Sequence, residues 1–337
     1  MLPSSEFVVA CAGLQRSNMG SFSFTLAKAV FRNWINKTIF RQEIPRAIHI
    51  EVTSKCQFNC LGCYVSPETG SIWDIERLSQ LVSEAQALGI HQFTFTGGEP
   101  FLYPELILDT ASRHQSSAFF VTTNGLALDD TLCSKVAKVQ NLAVIVSHDG
   151  SKSHIYRNAG AGEAAQVALM KLRRLKVFTC TSTRVSKETY DDVICERYFG
   201  QLLDLGVSCA IFAPLLPGSK GMSALDDEQR SKLPELVSKL GKAVGIHAVV
   251  PCGNGEQSCA GGALVAAFSS DGAALPCPHI RHFTHRWPET SLKEILESPY
   301  FKDIAKARMP LSCGRSCLVL DHSEELASVI ARHHAKL

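Results

Sequence analysis

Six short apolar runs alternate with six longer amphipathic patterns between residues 47 and 244, and this rhythm limits the fold more than any other feature. The runs lie at 47–53, 92–96, 118–123, 142–147, 177–183 and 207–214, and the helical patterns at 75–88, 104–114, 130–139, 163–175, 191–205 and 226–244. A helical crossover returns the chain to the end of the sheet where it began, so consecutive strands run parallel. Six repeats predict an α/β fold, an open partial (β/α)6 barrel rather than a closed eight-stranded one. In such folds chemistry gathers on the loops that follow the strands.

The unusual loops obey that rule. Cys56, Cys60 and Cys63 follow the first run, Gly97-Gly98-Glu99-Pro100 the second, Asn124-Gly125 the third, and Ser147-His148-Asp149-Gly150 the fourth. All are expected on one face of the barrel, where chance placement would scatter them. Three thiols within eight residues can converge on a metal centre. Structural zinc takes four closed ligands, and a four-iron cluster usually takes four thiolates. Three protein ligands therefore predict a cluster with one iron left for something other than protein.

With 337 residues, 45% of them apolar, the chain has room for a large core in one big domain or one domain plus an appendage. A net charge of +2 lacks the basic footprint that nucleic-acid binding leaves. Residues 7–14 are apolar but lack the basic segment of a secretory signal, and no run is long enough to cross a bilayer. Thirteen cysteines without an export signal are expected to be reduced, with a cytoplasmic location as the default.

Apolar residues at helical spacing over 21–41, including Phe22, Leu26, Val30, Phe31, Trp34 and Ile35, predict a helix capping one end of the barrel. Peripheral contact with an anionic membrane surface is the less favoured reading. Beyond residue 245 the alternation stops, glycine rises, and Cys252, Cys259, Cys277, Cys313 and Cys317 appear. A small loop-rich unit of this kind needs a metal staple. The expected boundaries are an N-terminal extension over 1–44, a barrel over 45–245, a cysteine-rich unit over 246–320 and a terminal helix within 321–337.

The motif Cys56-x3-Cys60-x2-Cys63 after the first strand, with Gly97-Gly98-Glu99-Pro100 after the second, resembles the radical S-adenosylmethionine (SAM) superfamily. The resemblance implies a 4Fe–4S cluster on the three cysteines, with the open iron chelated by the amino and carboxylate groups of SAM. It implies one-electron cleavage of SAM to a 5′-deoxyadenosyl radical that takes hydrogen from an unactivated carbon, fed by a flavodoxin- or ferredoxin-type donor. Gly97, Gly98 and Glu99 would hold the amino group. Ser147 and Arg157, like the Ser-x-Asp-Gly segment and downstream arginine of peptide-modifying members, would hold the carboxylate. Asn124 would reach the ribose or sulfonium, or serve only as a turn residue. The position before the third cysteine, usually aromatic in this family, is Gly62, which leaves Tyr64, Phe58 or backbone groups for the adenine.

Cys259-x12-Gly272-x4-Cys277 and Cys313-x3-Cys317 resemble the reduced, twitch form of the SPASM extension. That resemblance implies an auxiliary 4Fe–4S cluster on Cys259, Cys277, Cys313 and Cys317; structural zinc is the rival. Cys252 is a fifth thiol, a substitute ligand, a hydrogen donor or idle. Cys180 and Cys209, in predicted strands, are core residues or hydrogen donors. Residues 278–286, rich in histidine and arginine, are read as a solvated loop, with binding of an acidic substrate group as the alternative. Asp303 is assigned packing alone.

The implied function is a radical SAM oxidoreductase or epimerase that matures a ribosomal peptide or other natural product. The rivals are a dehydrogenase or epimerase of a sugar-like small molecule, and a non-catalytic iron–sulfur or zinc protein.

Overall fold

The computed structural model describes residues 20–38, 44–61, 63–65, 70–155, 157–216, 222–251, 259–307 and 317–334. Among these described residues nine strands form one sheet in the order β7-β6-β5-β4-β3-β2-β1-β8-β9. Strands β1 (Ala47–Thr53), β2 (Gln92–Gly97), β3 (Ala118–Thr123), β4 (Leu142–Ser147), β5 (Thr179–Val185) and β6 (Cys209–Pro214) are the six expected ones. Each pairs with its successor in parallel, so the open-barrel reading holds.

The sheet then extends past both expected edges. β7 (His247–Val249) adds in parallel to β6, and β8 (Val265–Phe268) adds in parallel to β1. Antiparallel to β8 lies β9 (Ala274–Leu275).

The crossover helices start where side chains satisfy their first N–H groups. Asp74 caps α2 (Ile75–Ala87), Asp129 caps α4 (Asp130–Lys138), and Asp226 with Gln229 forms a capping box on α8 (Asp227–Val244). The others are α3 (Pro104–Arg113), α5 (Ala161–Arg174), α6 (Tyr190–Val193) and α7 (Glu196–Asp204). The single helix expected over 191–205 is thus two, broken at Ile194 and Cys195. The C-terminal region adds α9 (Leu292–Leu296), α10 (Pro299–Lys306), α11 (Leu318–Asp321) and α12 (Ser323–His334).

Strand alternation sorts the core into two layers. Ile48, Ile50, Val52, Phe93, Phe95, Phe119, Val121, Val144, Val146, Ala210 and Phe212 face the helices in one continuous cluster. On the other, inner face, Ala118, Ala143, Ile145, Cys180 and Cys209 join Phe22, Leu26 and Val30 of the N-terminal helix α1 (Gly20–Thr38). Phe22 lies edge-on to Phe120, 5.3 Å between centroids, and 5.0 Å from Phe178. α1 therefore plugs the inner face where the strands begin, as the capping reading expected. No helix of the described residues is long and apolar enough to cross a membrane.

Candidate active site

At the far ends of the strands, β1 and β2 come together too closely for side chains. Gly98 N–H donates to the Thr53 carbonyl (2.7 Å) and Glu99 N–H to that of Lys55 (2.8 Å). A Cβ on Gly97 (φ +121°) would lie 2.3 Å from Thr53 O, and one on Gly98 would lie 2.0 Å from Lys55 O. The two glycines are thus required by backbone approach alone, and the Gly-Gly turn bears directly on the segment that leads into Cys56.

Glu99 is fully buried. Its Oε1 accepts from Phe101 N–H (3.0 Å) and the Thr123 hydroxyl (2.7 Å), and its Oε2 accepts from Asn124 N–H (2.8 Å). Burial pushes its pKa up against these donors, which favour the charged form. The carboxylate, expected to face a ligand's ammonium, is thus first of all a tie between the β2 and β3 loops.

Cys56 and Cys63 are exposed and Cys60 half-buried. Burial raises the thiols of Cys56 and Cys60, and the charge of neighbouring thiols raises them further. Cys56 Sγ accepts from Phe58 N–H (3.4 Å) and faces Asn124 Nδ2 (3.8 Å), which also donates to Gln57 (3.3 Å). Asn59 N–H donates to Asn158 (2.9 Å), tying the thiol loop to the loop after β4. Among the described residues no three His, Cys, Asp or Glu side chains converge as they would on a single ion. Gly62 lies outside the described residues.

From β4, half-exposed Ser147 pairs in register with Ser182 on β5. Asp149, fully buried, forms an ion pair with Arg157 and accepts from Arg184 N–H (2.6 Å). The Arg157 charge also favours the thiolate of Cys60. Arg157 is therefore not a surface arginine. His148 turns the other way, its Nδ1 3.0 Å from the Tyr198 hydroxyl.

Tyr64, the residue after Cys63, sends its hydroxyl to Thr96 (3.2 Å) and packs edge-on against His279, 4.7 Å between centroids. Burial pushes the Tyr64 phenol up to about 12. Sequence reasoning expected a solvated loop over 278–286. The structure instead folds it over the barrel end, because Arg281 clasps the buried Glu51 of β1 through both nitrogens. A clue was available: Glu51 and His49 interrupt Ile48, Ile50 and Val52 with strand periodicity, which marks a polar inner face.

Cys277 lies within electrostatic reach of Cys259 and Cys317, and its thiol, raised by burial to about 12, accepts backbone bonds from His279 and Ile280. A Cβ on Gly261 would sit 3.5 Å from Cys277 Cβ and 3.6 Å from Cys259 Sγ. Of the four expected auxiliary cysteines, Cys277 thus has Cys259 and Cys317 as charge neighbours; Cys313, like Cys252, lies outside the described residues. Cys180 and Cys209 sit in register on β5 and β6, hydrogen-bonded to each other and packed under α1. They lie at the opposite end of the inner face from Cys56.

The family model for the Radical SAM superfamily matches residues 50–193. A GTP 3′,8-cyclase of Clostridium botulinum is 23% identical over 208 residues, 57% of this chain and 63% of that protein. The chain spans only 38 to 63% of the length of the C. botulinum cyclases it matches. An AdoMet-dependent heme synthase of Methanosarcina barkeri is 24% identical over 332 residues, covering 86% of this chain and 93% of that one. A PqqA peptide cyclase of Ruegeria pomeroyi is 24% identical over 282 residues, 74% and 73% of the two chains.

Among solved structures, Streptococcus suis SuiB bound to precursor peptide SuiA superposes with a TM-score of 0.66 at 13% identity, over 87% of this chain and 75% of that one. The anSMEcpe complex with AdoMet and Kp18Cys peptide gives 0.65 at 16% identity, over 87% and 98%. At these identities the likeness carries the fold.

Proposed function

Residues 50–193 belong to the radical SAM superfamily, and on that premise we propose that this radical SAM enzyme takes a hydrogen atom from an unactivated carbon while maturing a peptide or related natural product. The observation that carries the proposal is the gathering of Cys56, Cys60 and Cys63 with Asn124, Glu99 and Arg157 at one end of the parallel strands.

The donor set fits a cluster. Neighbouring thiols help to raise the thiols of Cys56 and Cys60, and Asn124 and Phe58 already donate to Cys56. A bound 4Fe–4S cluster with SAM would supply single-electron cleavage of a sulfonium and a carbon radical. The chain's part is to place and shield. The Gly97–Gly98 carbonyls and the remaining lone pair of Glu99 Oε2 would accept from an ammonium group. Ser147 and Arg157 would donate to a carboxylate, with Asp149 fixing the guanidinium. Cys259, Cys277 and Cys317, with Cys313, would hold an auxiliary cluster able to accept an electron from a substrate radical.

Peptide maturation is favoured by the fold shared with two proteins solved with peptides bound. A small-molecule substrate is the second reading, favoured by an alignment that spans nearly the whole of a heme synthase.

Anaerobic reconstitution followed by iron, sulfide and 5′-deoxyadenosine analysis tests the proposal. About eight irons per chain with SAM cleavage are expected. Zinc in place of iron, with no cleavage, would falsify it. Cys317→Ala should leave SAM cleavage but abolish product. Deuterium transfer from labelled peptides or small molecules into 5′-deoxyadenosine separates the two substrate readings.

A further inference from the structure

Plugging the barrel uses only one side of α1. Phe22, Leu26, Ala29, Val30 and Asn33 form its buried row. The opposite row carries Phe24 and Phe31, 58% and 53% exposed and two turns apart, so both lie on one line of the helix. Trp34, 38% exposed, stacks on Phe31 at 5.8 Å between centroids. Lys28 sits over Phe24, 4.1 Å from the ring centroid, and Arg32 is exposed on the same flank. Among the described residues no other Phe, Tyr or Trp is exposed. A lone exposed ring needs no explanation, but three together on one helix row mark a contact surface.

Charge identifies the partner. α1 contains no Asp or Glu. Nor does any of the segments that lead into β2 to β7 at this end of the barrel, 88–91, 114–117, 139–141, 175–178, 205–208 and 245–246. Exposed Lys138 lies two residues before Gln140, which accepts from the Ser21 hydroxyl of α1 (3.0 Å). Exposed Lys176 lies two residues before Phe178, which packs on Phe22. Of the helices that end here, α4 and α5 close on Lys138 and Arg174, and α7 on Asp204. The sequence before β1 adds Arg41 and Arg46 against Glu43. The face is therefore aromatic and cationic, and its partner is anionic.

We propose that α1 is a peripheral membrane contact, with Phe24, Phe31 and Trp34 in the headgroup layer of an anionic bilayer and Lys28 against the lipid phosphates. Aromatic rings suit that depth, and each Lys or Arg near an anionic surface adds attraction. The aliphatic row of α1 is already committed to the barrel, so the contact is shallow and reversible. A second copy of this chain would set like charges face to face. An acidic protein bringing electrons to the thiol loops would dock at the far ends of the strands, about 20 Å away for six residues. A bilayer meets the α1 end and leaves the thiol end open to water.

The test mixes the reconstituted full chain with vesicles of phosphatidylcholine, alone or with phosphatidylglycerol, and reads flotation and tryptophan fluorescence. Trp73 and Trp287 are buried, so a blue shift and quenching by brominated lipid report Trp34. Both signals are expected with the anionic vesicles alone and should fade at high salt. Lys28→Gln should weaken binding about five-fold. Phe24→Ser combined with Phe31→Ser should reduce flotation to that seen with neutral vesicles. These side chains are exposed, so near-UV circular dichroism and the melting temperature should stay unchanged.

Flotation with neither vesicle, equal flotation with both, or anionic binding that survives the double substitution in folded protein overturns the membrane contact. A dimer in light scattering that the double substitution breaks also overturns it, and assigns the row to a second copy. Neither readout depends on radical chemistry, so this inference and the function proposed above can fail separately.

Discussion

Between Gly97 and Thr53 the backbone leaves no space for a methyl group, and Gly97 also holds a φ that other residues avoid. Gly160 offers the control, with φ +80° but nothing within 4 Å of an added Cβ. Gly160→Ala should cost only the conformational strain, about 1 kcal/mol. Gly97→Ala adds a collision with rigid backbone and should cost roughly 2–4 kcal/mol in a urea melt. It should also lower iron retention, because Gly98 and Glu99 fix the segment that leads into Cys56. Similar losses for the two variants would show that the close approach is not needed.

Glu99→Gln puts an amide where one oxygen accepts from Asn124 N–H, so two donors face each other in a buried place. A loss of about 1–3 kcal/mol is expected, with Asn124 moving away from Cys56. The glycines and Glu99 stood out in sequence as cofactor contacts. Their structural work was hidden, because Thr123 and Asn124 meet Glu99 only through the fold.

For α1, amphipathic spacing announced a helix with one buried stripe, and Phe22, Leu26 and Val30 supply it. What the sequence did not show is how the helix is latched. Arg32 lies 3.4 Å from both ring nitrogens of His91, whose Nδ1 is 3.3 Å from the Ser117 hydroxyl; Asn33 donates to the Arg46 carbonyl (3.2 Å). Burial, and then the Arg32 charge, push the His91 pKa down from 6.5 to about 4. The folded state therefore keeps His91 neutral where the unfolded chain protonates it, so its contribution is full above pH 6.5 and is lost as pH falls toward about 4.

Hydrogen-exchange protection of α1 should consequently fall across that window before protection of the central strands does. His91→Gln should flatten the response, and Arg32→Gln should make it shallower by letting His91 titrate nearer its ordinary value. Uniform loss of protection over all elements would refute a local latch. Elements of this size were legible wherever pattern and caps agreed: β1, β3 and β4 fall on the expected residues. β7, β8 and β9 were not, since two to four residues carry too little periodicity to separate a strand from a loop.

At the scale of the whole molecule, the sequence divided cleanly at residue 245, yet the sheet does not. Ala47–Ile50 of β1 pair with Val265–Phe268 of β8, so the cysteine-rich region supplies the strand that covers the edge of the barrel. Trp287 packs 5.8 Å from Trp73 and donates to Glu84 of α2 (3.1 Å), while Arg281 neutralises the buried Glu51. The composition shift at 245 was real, but pairing between distant strands leaves no local trace. A chain ending at residue 250 would expose the β1 edge, leave Glu51 as a buried carboxylate without its cation, and uncover Trp73. An unpaired buried charge alone costs about 3–5 kcal/mol, and an open apolar edge templates aggregation. Expression of residues 1–250 should therefore give aggregated protein, or monomer lacking a cooperative melt and near-UV circular dichroism. Glu51→Gln in that background should recover part of the loss if the stranded charge is a main cause. A truncated chain that melts like the full one would instead establish the barrel as an autonomous domain, and the C-terminal region as an appendage that matters only for chemistry.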